Sequence, residues 1–362
     1  MSKHMIQVFI GTKAQYIKTA PLLRLMDERG VDYTLIDSGQ HADIARTMRQ
    51  ELGVREPDVI IADDGDISTI PDAIRWAARL STRLVRASKL RDEVFGGAGG
   101  ICVVHGDTPS TLLSALMAWR AGLRVAHMEA GLRSRNLLHP FPEELIRIFV
   151  MRFADICFAP TPDAVENLLS TRHRGEIIAL DGNTSIEAVS HATATGDTVT
   201  SGPAVVTMHR VENLRNAKRV EGWLSAVEKV ADRYDVRFVM HEPTRKVLEP
   251  IGGLDRLRKA GVEVSPLISH TEFVGLLSAA PLAIIDGGSI QEECGYLGLP
   301  TLLWRDHTER EHGIGRNVVL SHFDQDVVDR FLDELEELRQ PAQLPDVTPS
   351  VQILDELLAR LG

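Results

Sequence analysis

Cysteine is scarce in this chain: Cys102, Cys157 and Cys294 are the three in 362 residues, an odd number with no CxxC spacing. That excludes a disulfide-stapled scaffold. Cys102 and Cys157 sit inside apolar runs, so buried free thiols in a reducing cytoplasm are expected. No HExxH or paired-cysteine spacing offers a metal site, and no metal is expected. No segment approaches the roughly 20 continuous apolar residues that span a bilayer. The opening MSKHMIQVFIGT reaches a glycine after a very short apolar stretch. It lacks the core and cleavage site of a signal peptide, which again points to the cytoplasm. Positive charge is not in excess either: 40 basic side chains face 51 acidic ones, a net charge of −11. This argues against nucleic acid or an anionic membrane as a partner. A phosphate-bearing small molecule is still allowed, because it needs only a local pocket of backbone N–H groups and one or two cations.

What is present is the composition of a soluble globular protein, 44% hydrophobic and 25% charged, with a length that suits two domains. Short apolar runs alternate with amphipathic helical patterns, the signature of βα units wound into a parallel sheet. In the first half, strands are predicted over 6–10, 33–37, 58–62, 101–105, 124–128, 155–159 and 176–180. Helical patterns lie between them, for instance over 16–28, 72–92 and 110–121. Residues 192–203, ATATGDTVTSGP, are small and polar without an apolar period, and read as an interdomain linker. The rhythm then restarts, with strands over 204–208, 236–240, 262–265, 281–285, 300–303 and 317–320 and a last helix over 348–361. The expected fold class is α/β, with two successive Rossmann-like doubly wound domains over 1–191 and 204–345 and a helical tail over 346–362.

In such sheets ligands bind at the carboxyl ends of the strands, so the residues that follow each strand carry the chemistry. After the first comes Gly11-Thr12-Lys13, a tight turn that offers N–H groups and a cation. It is not GxGxxG, so it suits a plain βα turn as well as a dinucleotide. After the fourth comes His105-Gly106-Asp107-Thr108. Asp107 can cap the next helix, but capping explains neither His105 nor Gly106. The fifth strand ends in His127-Met128-Glu129-Ala130-Gly131-Leu132-Arg133, and a carboxylate emerging from an apolar strand is costly unless paired or used. The stretch His139-Pro140-Phe141-Pro142-Glu143-Glu144 adds two acids at a helix start, one of which is expected to be solvated. Asp107, Glu129 and one of these glutamates make a set in which one pKa is raised while another group stays ionised. Proton removal and return at carbon requires such a set.

The second half supplies different groups. His209-Arg210-Val211-Glu212-Asn213 follows strand 204–208, and His241-Glu242-Pro243 follows 236–240. Asp286-Gly287-Gly288-Ser289 follows 281–285 and runs into Gln291-Glu292-Glu293. A Gly-Gly-Ser turn at a helix N-terminus is an anion cradle whose N–H groups suit a diphosphate. Arg305-Asp306-His307-Thr308-Glu309-Arg310 follows 300–303, where Arg305 and Arg310 are candidate phosphate partners.

The segments HGDT (105–108), HMEAGLRS (127–134), PFPEE (140–144), GNT (182–184), HRVEN (209–213), DGGSIQEE (286–293) and RDHTER (305–310) stand in this order. Together, from about Gly11 to Arg316, they resemble the UDP-N-acetylglucosamine 2-epimerases. The resemblance implies the GT-B architecture, two Rossmann-like domains with the active site between them and the C-terminal helix returning to the first. It implies elimination of UDP across C1–C2 after a base removes the C2 proton, giving a 2-acetamidoglucal. The catalytic set it implies is Asp107, Glu129, Glu143 and His209, the last near the leaving phosphate. The substrate and UDP set is Lys13, Arg133, Asn183, Arg210, His241, Gly288, Ser289, Glu292 and Arg310. No cofactor is implied, and a homodimer is. This chain departs from the family in three places. The family's Gly-Thr-Arg-Pro-Glu is Gly11-Thr12-Lys13-Ala14-Gln15, which keeps a charge but loses the guanidinium fork and a carboxylate. Its Asp-Ser-Gly-Gly is Asp286-Gly287-Gly288-Ser289. Its Gln-His-Arg, which helps to bind an activating second substrate, reads Gln40-His41-Ala42. The expected activity is epimerisation at C2 of a UDP-N-acetylhexosamine. The alternatives are a hydrolysing epimerase, a GT-B glycosyltransferase, for which three carboxylates are superfluous, and a sensor that binds UDP without turnover.

Overall fold

The computed structural model describes residues 5–39, 42–61, 86–97, 99–135, 142–171, 175–187, 201–308, 312–343 and 347–361, with single positions besides. Most of the expected helix over 72–92, the segments Gln40-His41 and His139-Pro140-Phe141, Glu309 and linker residues 192–200 lie outside the described residues. The chain divides into two compact units, Met1–Thr184 with Pro345–Gly362, and Ser185–Leu344.

The first unit is built on a seven-stranded parallel sheet of order β3-β2-β1-β4-β5-β6-β7. Its strands are β1 Met5–Ile10, β2 Tyr33–Asp37, β3 Val59–Ile60, β4 Gly100–His105, β5 Arg124–Met128, β6 Ile156–Ala159 and β7 Glu176–Ala179. The strands read as nearly unbroken apolar runs because helices cover both faces. Along β1 and β4, Ile6, Val8, Ile10, Ile101 and Val103 enter one core cluster. Phe9, Cys102 and Val104 enter the cluster on the opposite face. Helix Lys13–Glu28 starts in a capping box closed by Thr12 and Gln15. Helix Pro109–Ala121 starts in another, at Thr108 with proline at its first position, and stops at Gly122 in the left-handed conformation. The chain's last helix, Pro349–Ala359, belongs to this unit and buries Ile353, Leu354 and Leu357 in the same cluster as Tyr16 and Leu22. Arg29–Asp355 at 2.6 Å and Arg360–Glu176 at 2.7 Å border it.

The second unit repeats the plan with a six-stranded parallel sheet, β10-β9-β8-β11-β12-β13. Here β8 is Ala204–Val206, β9 Val236–Val239, β10 Glu263–Ser265, β11 Ala283–Ile285, β12 Thr301–Leu303 and β13 Val318–Leu320. Ala204, Val206 and Ile284 pack with Trp223 and Trp304 on one face, and Val205, Ala283 and Ile285 pack with Val274 and Leu277 on the other. In each sheet the strand order reverses once, between β1 and β4 and between β8 and β11. The crevice past the strand ends at such a reversal is where doubly wound folds bind ligands.

Gly131, just past β5, shows how tightly these ends are held. Its φ is +88°, and a Cβ there would lie 2.2 Å from the Ala164 carbonyl oxygen. Gly122 has a similar φ of +81° but nothing within 4 Å. Gly131→Ala is expected to cost on the order of 3 kcal/mol or more and Gly122→Ala about 1 kcal/mol. Urea unfolding of both variants checks this, and equal losses would show that backbone strain alone governs the two positions.

Candidate active site

The β1/β4 reversal in the first unit carries the carboxylates. Thr108 rather than Asp107 caps helix 109–121, which frees Asp107 for an ion pair with Arg147 of helix Glu143–Phe153. Arg147 also lies 3.8 Å from Glu144. Glu144, the acid of which solvation was a fair expectation, is wholly buried. It accepts from Arg133 Nε and, at 3.0 Å, from the Ser134 N–H, so it orders the loop after β5 and occupies Arg133. Glu143 starts the helix, with Pro142 at the cap position. Its Oε2 is buried and takes no hydrogen bond among the described residues.

Glu129 sits at φ +59°, a left-handed conformation that costs a non-glycine residue roughly 1 kcal/mol or more and marks functional positions. Its carboxylate pairs with Lys18 and accepts from Asn183 Nδ2, and His105 Nε2 lies 3.9 Å away. Lys18 and Arg147 are site residues that sequence reasoning missed. The available signal was a lysine on the buried face of helix 13–28, and an arginine three positions after Glu144.

The turn Gly11-Thr12-Lys13 corrects another expectation. Its N–H groups are not open donors, because Gln15 Oε1 accepts from Gly11 N at 2.7 Å and Thr12 N at 3.1 Å. The Gln15 amide nitrogen donates to the His105 carbonyl at 2.7 Å and to Thr111 Oγ1 at 2.9 Å. Lys13 stands half-buried at the helix start, its pKa lowered by burial against the pull of Glu51.

In the second unit, Asp286 at the end of β11 accepts from the backbone N–H of His209 (3.0 Å) and Arg210 (2.9 Å) and from Asn213 Nδ2 (3.1 Å). Burial alone would raise its carboxyl. His209 and these N–H groups outweigh burial and hold it below the usual carboxylate range. His209 stacks on His241 with centroids 4.7 Å apart, and the Arg210 side chain meets Glu212. Helix Gly288–Leu297 begins at Gly287 with no side-chain cap. The first N–H groups of an uncapped helix point outward, and the dipole favours an anion there. Gly288 and Ser289 lie in that first turn. Glu292, one turn on, is buried and held by Arg310, with Ser185 Oγ at 3.4 Å. These two are therefore partners of each other before they are partners of any ligand. Among the described residues no group of three His, Cys, Asp or Glu is placed to hold a metal ion. No helix among them is long and apolar enough to cross a membrane.

With this geometry in hand, comparison with known proteins is decisive. A family model described as UDP-N-acetylglucosamine 2-epimerase matches residues 24–350. The chain belongs to that family. The Bacillus subtilis UDP-N-acetylglucosamine 2-epimerase is 29% identical over 384 aligned residues, covering 100% of this chain and 97% of the relative. A Pseudomonas aeruginosa UDP-2,3-diacetamido-2,3-dideoxy-D-glucuronate 2-epimerase is 27% identical over 315 residues, 84% of each chain. The crystal structure of Methanocaldococcus jannaschii UDP-GlcNAc 2-epimerase in complex with UDP-GlcNAc and UDP superposes with a TM-score of 0.79. At 23% identity over 98% of this chain and 99% of that one, it establishes the shared two-Rossmann fold.

Two imidazoles make the first unit's site sensitive to acid. His127 Nε2 lies 2.7 Å from the Gly106 carbonyl, which can only accept, so Nε2 carries the hydrogen. Burial pushes both His105 and His127 down to about 4. The unfolded chain then binds more protons than the folded one between pH 6.5 and 4, so stability is present above that window and falls as pH drops through it. Each histidine withdraws roughly 3 kcal/mol over the full window. His127→Gln keeps a donor for Gly106 and is expected to flatten the acid limb in urea unfolding at pH 7, 6 and 5. A limb as steep as wild type would mean that other groups titrate there.

Proposed function

We propose that this chain inverts C2 of a UDP-N-acetylhexosamine, and that Glu143 is the base that opens the reaction. The C2–H proton passes to the Glu143 carboxylate. The C–H electron pair forms the C1=C2 double bond as the C1–O bond breaks, and its electrons leave with UDP. Re-addition of UDP and of a proton to the opposite face of C2 completes the inversion. The observation that supports this reading is the unequal state of the three carboxylates. Asp107 is held by Arg147 and Glu129 by Lys18 and Asn183, whereas Glu143 keeps a buried oxygen with no hydrogen bond among the described residues. That oxygen has no donor among them to displace before it meets a substrate proton. Asp107 and Glu129, paired with Arg147 and Lys18, are the candidates for proton return. Lys13, Arg133, Asn183, Arg210 and His241 position the substrate. The open helix N-terminus at Gly288 and Ser289, with Glu292 and Arg310, binds diphosphate and ribose, and His209 serves the leaving phosphate. No cofactor enters this scheme.

Proton NMR with UDP-N-acetylglucosamine in D2O tests the proposal. The expected product is UDP-N-acetylmannosamine carrying deuterium at C2. Free N-acetylmannosamine with UDP would instead identify a hydrolysing enzyme. Glu143→Gln is expected to lower kcat by ~10²-fold or more and to slow deuterium incorporation equally. A Glu143→Gln enzyme that exchanges at the wild-type rate would move the base to another carboxylate.

The proposal includes a homodimer in the cytoplasm. Support for a second copy as partner comes from an exposed aromatic cluster in which Trp119 is 56% and Phe149 43% exposed, with Phe153 packed against both. Light scattering is expected to return twice the 40.0 kDa chain mass, and a monomer mass would remove this part of the reading.

A further inference from the structure

Gly287 is a glycine for no conformational reason. Its backbone lies at φ −87° and ψ 133°, extended geometry that any residue adopts. A Cβ at this position would lie 2.8 Å from His209 Cε1, so a side chain here must press the ring aside. The His209 ring thus rests directly on the turn that leads from β11 into helix 288–297. Its Nδ1 lies 3.1 Å from Asp286 Oδ1, close enough for an ion pair although not aligned for a straight hydrogen bond. His241, from the end of β9, stacks on the ring with 24° between the planes. Asp286 is wholly buried and is itself fixed by the N–H groups of residues 209 and 210 and by Asn213. The imidazole is therefore held by a carboxylate, a bare backbone and a second imidazole, and a third of the His209 side chain is left exposed.

We propose that Asp286 and Gly287 are positioning residues for His209. They hold its ring in one plane with the Nδ1 hydrogen turned to Asp286, and leave Nε2 as the working nitrogen that meets an anionic oxygen of the diphosphate. The diphosphate part rests on the epimerase reading, and the clamp itself does not. A buried carboxylate on one ring nitrogen selects the tautomer and stabilises the imidazolium, whose second N–H then points at the ligand. The charged and titratable groups facing His209 are Asp286, His241 and, on its own loop, Arg210, which is engaged with Glu212. With glycine at 287 the ring lies against the turn in this position, and a side chain there requires it to shift.

Nitrogen-15 spectra of the full chain labelled at histidine, recorded between about pH 5 and pH 9, test this with His209→Asn as the assignment control. In the wild type, His209 Nδ1 is expected to stay protonated through the whole titration. Asp286→Asn is expected to mix the two tautomers. Gly287→Ala leaves the backbone bonds to Asp286 in place. It is expected to move the His209 resonances and to lower kcat about tenfold or more with KM little changed. Unmoved His209 spectra in both variants would overturn the clamp. If Asp286→Asn does not fold, Gly287→Ala decides alone: displaced resonances support the proposal and wild-type resonances reject it. If UDP-N-acetylglucosamine is never turned over, the epimerase reading fails while the spectra still judge the clamp.

Discussion

A carboxylate at the end of a buried parallel strand has left water without reaching any solvent of equal quality, and the protein must supply the missing stabilisation. An unpaired buried charge costs several kcal/mol, so the counter-groups decide where each strand end can sit. Lys18 does this for Glu129, Arg147 for Asp107 and, together with Arg133, for Glu144. Arg310 does it for Glu292. Asp286 is met by His209, by the backbone N–H groups of residues 209 and 210 and by Asn213. The Lys18–Glu129 and Arg147–Asp107 pairs tie strand ends to helices distant in sequence, so the charge balance of the site and the packing of its walls are one problem. Glu129 pays a further conformational cost at φ +59°, sustained because Lys18 and Asn183 hold its carboxylate from both ends of the first unit's sequence.

The two units solve the same topology with different chemistry. Both sheets reverse their strand order once, and both reversals gather polar groups. In the first unit the groups are acids paired with basic side chains. In the second the main feature is a helix start at Gly287 without a side-chain cap. That arrangement holds an anion without moving a proton. The division follows from composition: the ends of β4 and β5 carry Asp107 and Glu129, and the end of β11 carries consecutive glycines.

The strands were legible because both faces of each sheet are buried, which writes them as continuous apolar runs: eleven of the thirteen fall within the predicted stretches, and β1 and β4 start one residue earlier. The acids at strand ends were legible for the converse reason, since a carboxylate after an apolar run needs an explanation. Their partners were not. Lys18, Arg147 and Glu144 look like ordinary helix residues until tertiary contact places them on a buried face. Side-chain pairing between elements a hundred residues apart leaves no periodic trace. Asp107 illustrates the limit in miniature: capping and function read alike in sequence, and the next residue, Thr108, took the cap. The glycine at 287 was equally opaque, because a glycine needed for space and a glycine needed for conformation are the same letter.

Departures from a family pattern are often taken as signs of a lost site, and Gln15 shows why each needs its own physical reading. A glutamate here could accept from the N–H groups of Gly11 and Thr12 as Gln15 does, but it could not donate to the His105 carbonyl 2.7 Å away. The amide does what a carboxylate cannot: one side chain accepts from the end of β1 and donates to the end of β4, across the very reversal where the ligand crevice forms. The lost charge and the gained donor are two aspects of one exchange.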